Sequence, residues 1–155
     1  MDRLDVALLE ALQKNSNLSV NDLSEIVALS PSACHRRMKA LENSGIISRY
    51  AAELNPEKIG LTLDVFVEIS LSAQSQAALN AFEQAVQDFD EILECHLMGG
   101  QADYRLRVAA RDVADFDEIH RHCLSRLPGV SAMHSNFAIR VIKPWSGYPV
   151  RRMLG

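Results

Sequence analysis

The sequence predicts an α+β chain in two parts, an all-helical N-terminal stretch followed by a sandwich of β-α-β-β-α-β order. Three observations carry that prediction. Up to residue 60 the apolar residues recur with the helical period of 3.6. From residue 61, "LTLDVFVEISL" alternates with the period of two of a half-buried strand. Two helical stretches then separate three more strand-like ones.

The first helix is read over residues 3 to 14, where Leu4, Ala7, Leu8, Ala11 and Leu12 share one stripe. "NSNLS" breaks the stripe. Ser19, with Asp22 three positions on, is placed to cap a second helix lined by Leu23, Ile26 and Val27. After the turn "ALS", Ser30 caps a third helix, with Pro31 where a missing N–H leaves nothing unsatisfied. That helix, residues 31 to 44, stops at Gly45, and "IISRYAAELNP" reads as a short strand and linker. In the second part Leu61, Leu63, Val65, Val67, Ile69 and Leu71 face one way. "SQAALNAFEQAVQDF" is a helix with Leu79, Phe82, Ala85, Val86 and Phe89 inward. "EILECHLMGG" and "DYRLRVAARD" form a hairpin through "GGQA". "VADFDEIHRHCLSRLPG" is a helix with Phe116, Ile119, Cys123 and Leu127 inward, and "VSAMHSNFAIRVIK" is the last strand. This order is the ferredoxin-like αβ-plait. The expected domains are residues 1–60, 61–143, and a tail, "PWSGYPVRRMLG" at 144–155, read as an arm or frayed end.

Composition narrows the function. The chain has 155 residues, 48% of them apolar, enough for a real core and too many for a disordered protein. No apolar run approaches the roughly 20 residues that span a bilayer, so no membrane role is expected. "MDRLDVALLEALQKN" lacks the basic and apolar blocks of a signal peptide, and a cytoplasmic protein is expected. Cys34, Cys95 and Cys123 show no metal spacing, and His120 and His122 are two apart on a helix, facing different sides; no metal is expected. No nucleophile elbow, phosphate loop or dinucleotide fingerprint occurs, so no enzyme, catalytic residue or cofactor is expected. Net charge is −4, so any nucleic-acid contact must come from a local basic patch.

The third helix offers one. Cys34, Met38 and Leu41 share its inner face; Ser32, Arg36, Lys39 and Asn43 share the opposite face, with His35 at its edge. Arginine bonds bidentately to guanine, asparagine pairs with adenine, and both cations neutralise phosphate. Such a face also suits plain solvent exposure. The layout of helix, tight turn and second helix with a polar N-terminus is that of a helix-turn-helix, and it favours duplex DNA. The candidate DNA contacts are Ser30, Ser32, His35, Arg36, Arg37, Lys39, Asn43 and Arg49, with Arg37 and Arg49 on phosphates.

"LMGGQADY" is the second candidate site. Gly99 and Gly100 let backbone N–H groups approach a carboxylate, Asp103 accepts from an ammonium group, and Gln101 donates and accepts. The same residues also make an ordinary hairpin turn.

Residues 4 to 61 resemble the DNA-binding half of the Lrp/AsnC family, the leucine-responsive and feast/famine regulators of bacteria and archaea. The resemblance rests on the "LD" opening, "LSP" at the start of the third helix, "RMKALENSGII" and "LNP". "VFVEISL", "ECHLMGGQADYRLRV", "LPGV" and "HSNFAIRVIK" resemble the family's second domain. The resemblance implies a winged-helix-like DNA-binding head, plaits that pair through their sheets into homodimers, and dimers that join into octamers or similar rings. It implies a small amino-acid effector held between subunits by Met98, Gly99, Gly100, Gln101, Ala102, Asp103 and Tyr104, with Asn136, Phe137 and Ala138 completing the pocket from a neighbour. It implies a nucleoid-associated regulator of amino-acid metabolism genes. Two residues depart from the family pattern. Ala28 stands in a turn that often carries glycine, and Gln101 stands where an acid often follows the glycines. Two other readings stay open: an effector-independent DNA-organising protein, and a ligand-binding regulatory subunit whose helices bind protein.

Overall fold

The computed structural model describes the backbone through residue 154 and the side chains through Arg152. The chain forms two compact units, Met1–Glu53 with Ile142–Gly155, and Leu54–Val141.

The first unit holds α1 (Arg3–Lys14), α2 (Val20–Val27) and α3 (Pro31–Asn43). Asp2 caps α1 by accepting from the Leu4 and Asp5 N–H groups, while the Asp5 carboxylate returns to the Asp2 N–H. Ser19 and Asp22 form the same reciprocal box on α2. Leu8, Leu23 and Cys34 are fully buried and join the three helices into one core with Leu9, Leu12, Val27 and Leu41. The turn after α2 is made at Ala28, in the left-handed region at φ 52°. An L-residue with a Cβ adopts that conformation at a cost of about 1–2 kcal/mol. Ala28 thus holds a conformation that glycine adopts most readily.

Two expectations fail here. Residues 46–56 form no strand; the chain bends and runs extended, with Ile47 packed on the helical core. A lone strand in a helical unit has no partner for its N–H and C=O groups. The tail is no free arm. It ends in a 3-10 helix, Val150–Leu154, and Val150 packs on the helical core.

The second unit is the expected plait. It contains β1 (Leu63–Leu71), α4 (Gln76–Val86), β2 (Ile92–Leu97), β3 (Tyr104–Ala110), α5 (Val113–His122) and β4 (Val130–Phe137). The sheet order is β2-β3-β1-β4, with every pair antiparallel. Val65, Val67 and Ile69 of β1 and Leu106 and Val108 of β3 are fully buried against Phe82 and Phe116. The last strand stops at Phe137, not 143; Ala138 N–H still donates to the Asp64 carbonyl, and past residue 139 the register leaves no β1 residue opposite.

The other face of the sheet carries no helix and is polar. The register places Glu94, Arg107, Phe66 and Asn136 in one row and His96, Arg105, Glu68 and His134 in the next. Arg107 reaches Asp64 at 2.9 Å and Glu94 at 3.1 Å. Arg105 lies 4.3 Å from the centre of the Phe66 ring, a cation–π contact.

Candidate functional site

The caps and the core fix α3 as a rigid platform. The Ser30 hydroxyl accepts from the Ala33 N–H at 3.3 Å, and Pro31 holds the first helical position. Cys34 and Leu41 face inward and are buried, with Met38 packed against the core. Ser32, His35, Arg36, Lys39 and Asn43 are exposed on the other side, within about 60° of one another's mean direction at 100° per residue. The structure therefore gathers the sequence's direct-contact candidates on one face.

The cations on and beside that face are not equivalent. Arg37 is turned toward α1, where it meets Asp5 at 2.7 Å and Asp2 at 2.8 Å, and its side chain is only 30% exposed. The Asp5 carboxylate, then that of Asp2, raise its already high pKa. Arg37 thus ties α3 to the first turn of α1 before it can serve a phosphate. Lys39 pairs with Glu42 at 2.6 Å, and Tyr50 donates to the same carboxylate at 3.1 Å. Lys39 holds the Glu42 carboxyl below its usual range. Arg36 and Arg49 meet no carboxylate among the described residues. Arg36 is thus a cation of that face with no carboxylate partner among the described residues, midway along the helix. The Asp2–Asp5 box is visible in the sequence as D-x-x-D, but its pairing with Arg37 is tertiary and leaves no local signal.

The hairpin loop is built differently. Met98 N–H donates to the Asp103 carbonyl at 2.8 Å, closing the turn. The Asp103 carboxylate accepts from the Leu71 N–H and from the Gln74 amide, each at 2.7 Å. Both of its oxygens are engaged in bracing the loop against the end of β1. Tyr104 points into the core, 1% exposed, and its hydroxyl donates to Glu83 at 2.7 Å. Burial and the Glu83 carboxylate push that phenol well above its usual pKa. Ala102 is half-buried, whereas Met98, Gly99, Gly100 and Gln101 are exposed. A Cβ at Gly99 or Gly100 would meet nothing within 4 Å, and neither has a left-handed φ. Nothing inside the chain requires glycine at either position.

Asn136, Phe137 and Ala138 are not beside this loop. Asn136 pairs with Phe66 and Phe137 with Val65, and Ala138 N–H donates to Asp64, whereas the loop abuts Ile69 and Leu71 at the other end of β1. Four residues of strand separate Phe66 from Ser70, about 13 Å at 3.3 Å per residue. One chain does not bring the two groups together. An open cleft of about 570 Å³ lies elsewhere in this unit and is lined by Leu61, Phe89, Leu93, Ile119 and Cys123 among others. Among the described residues no cluster suited to a metal ion occurs. Among the described residues no helix is long and apolar enough to cross a membrane.

Known proteins resemble the chain along its whole length. Residues 1–48 match the winged helix-turn-helix DNA-binding model, and residues 64–147 match the Lrp/AsnC ligand binding domain. An uncharacterized HTH-type transcriptional regulator of Sinorhizobium fredii is 46% identical over 114 residues, 74% of this chain and 90% of that protein. The leucine-responsive regulatory protein of Escherichia coli is 38% identical over 143 residues, 92% of this chain and 87% of that protein. A transcriptional regulator from Neisseria meningitidis, solved as a complex with L-Met, superposes with a TM-score of 0.94 at 36% identity, over 99% of both chains.

Proposed function

The chain belongs to the Lrp/AsnC family of transcriptional regulators, and from that membership we propose that its α3 reads duplex DNA while an amino acid held at the 98–104 loop, between copies of the chain, sets how tightly. The family's members are regulators, not enzymes, and the two domains divide the labour of binding DNA and ligand.

The observation that carries the DNA reading is the single polar face of a capped helix, on which Arg36 meets no carboxylate among the described residues. Ser32, His35, Arg36, Lys39 and Asn43 would face the bases. Ser30 and Arg49 would meet phosphates, with Arg37 held in reserve by its carboxylates. Two heads in a dimer read half-sites about one helical turn apart, so the operator is expected to be a loose palindrome. The amino-acid reading is supported by the open glycines. Their missing side chains clear space outside the chain, and residues 136–138, at the other end of β1, would reach the loop only from a second copy. Gln101 is neutral, so an ammonium group would find amide and carbonyl oxygens there instead of a free carboxylate. Sheet-to-sheet pairing through the helix-free face would supply the second copy, and larger rings would add avidity without new contacts. Such a regulator would work on the nucleoid and serve amino-acid metabolism genes.

Two experiments test this. Selection from a randomised duplex library should recover a palindromic site, and Arg36→Ala should weaken that site by about 1–3 kcal/mol while losing base preference. Equal loss on random DNA would confine Arg36 to phosphates. Thermal unfolding with each common amino acid should show a shift for one or a few, since a ligand at 100 times its Kd stabilises by about 2.7 kcal/mol. No shift with any would favour an effector-independent regulator.

A further inference from the structure

The helical unit is closed by the far end of the chain. Tyr148 N–H donates to the Gln13 side-chain oxygen at 2.6 Å, and the Gln13 amide donates back to the Tyr148 carbonyl at 3.1 Å. Arg151 meets Glu10 at 2.6 Å, and Val150 packs on the helical core. Gly147 sits at φ +93°, and a Cβ there would lie 2.5 Å from the Gln13 oxygen. Side chain, backbone and apolar contacts thus converge on one turn of α1, between residues 135 or more positions apart.

The connectivity gives this docking a consequence. The chain leaves the helical unit at Glu53, builds the plait, and re-enters the helical unit at Ile142. The DNA-binding unit is therefore joined to the ligand-binding unit by two covalent connections. α1 stands between the second connection and the reading helix. Its C-terminal turn holds Tyr148 and Arg151 through Gln13 and Glu10, and its first turn holds Arg37 of α3 through Asp2 and Asp5. A capped helix of this length is a stiff rod, about 1.5 Å per residue.

We propose that residues 144–152 are a strap through which the ligand state of the plait reaches α3, by way of α1. This rests on the reading of the chain as an amino-acid-responsive DNA binder. A ligand can change DNA affinity only through an element whose arrangement both sites bias, and the strap touches the rod that holds α3. Tyr148, Val150 and Arg151 are accordingly positioning residues, which touch neither base nor effector.

The single tryptophan of the chain, Trp145, lies in the strap, edge-on to Tyr148 at 4.8 Å between ring centres. Its fluorescence therefore reports docking directly. The full chain would be compared with Gly147→Ala, Glu10→Arg, Arg151→Glu and the Glu10→Arg/Arg151→Glu swap. Three readouts apply: acrylamide quenching of Trp145, amide exchange of residues 10–14, and binding of the selected duplex with and without L-methionine or L-leucine. Undocking should raise quenching and speed exchange about tenfold, as loss of local contacts does. It should leave ligand-free DNA affinity within about threefold and abolish the amino-acid response, which the charge swap should restore. Variants that undock yet respond like the parent overturn the proposal, as does a parent whose Trp145 and α1 amides are already as free as the variants'. A parent that binds no selected DNA removes the functional reading itself, and docking in that case has nothing to transmit. A chain cut after Lys143 that keeps its response but changes its sedimentation would also overturn it, assigning the tail to assembly.

Discussion

The outer face of α3 and the loop between β2 and β3 are both exposed, polar candidates, and they are built on opposite principles. The helix presents its donors ready-made. Its ends are capped, its inner face is buried, and Arg37 is tied down so that Arg36 stands free. The loop spends its functional groups on itself. Asp103 braces the end of β1, Tyr104 fills the core, and the residues expected to complete a pocket lie at the far end of the same strand. On the proposed reading, one head carries its whole DNA-facing surface within a single chain, whereas the amino-acid pocket would be completed only by a second copy.

That contrast can be broken most forcefully by emptying one unit. Leu41→Ala removes a buried side chain of α3 that is 4% exposed, and should cost about 2–5 kcal/mol in the helical unit. DNA binding should be lost while amino-acid binding to the plait survives, measured by calorimetric titration. Joint loss of both would show that the units do not fold separately.

Gly100→Ala sharpens the contrast from the other side. A Cβ at Gly100 meets nothing in the chain, so melting without ligand should move by less than about 0.5 kcal/mol, the usual range for a surface substitution. The stabilisation by an amino acid should disappear, because the space belongs to ligand or neighbour. An unchanged ligand shift would remove this glycine from the site.

Ala28→Gly should stabilise the helical unit by about 0.5–1 kcal/mol, the strain relieved less the extra freedom of the unfolded chain. Equilibrium denaturation would read the gain, and a loss would mean that the left-handed turn carries no strain.

The smallest effect is expected with acid. Asp2 is held below its usual 3.8 first by the Asp5 N–H and, against partial desolvation, by Arg37; Asp22 is held low first by the Ser19 hydroxyl. Groups with a lowered folded pKa stabilise above their unfolded pKa and lose that contribution as pH falls through the folded value. Melting of the helical unit should thus be flat with respect to these two groups from about pH 7 to 5 and decline below 3.8. A capping loss already complete at about pH 5 would contradict the assignment.

How much the sequence discloses differs between the two regions for a physical reason. The stripe of Leu4, Leu8 and Leu12, the alternation of Val65, Val67 and Ile69, and the Ser19 and Ser30 caps are local patterns, and each lies where its period places it. The exposed face of α3 follows from the same period. The helical period sets Arg37 apart from Arg36, but its pairing could not be read from the sequence, because its carboxylates sit 32 or more positions away on another helix. Nor could the docking of Tyr148 on Gln13, where an aperiodic tail is held by partners in distant sequence. The strand read into residues 46–56 had suitable residues and no edge to pair with. Asp103 and Tyr104 carried the right chemistry for a pocket, but their direction is fixed by Leu71, Gln74 and Glu83.

The most direct measurement is fluorescence anisotropy of the selected duplex, titrated with the protein in the presence of each common amino acid. One or a few amino acids should shift the apparent Kd by about 5- to 150-fold, the usual span of allosteric coupling. The same Kd in every amino acid, or no preference for the selected duplex over random DNA, would contradict it.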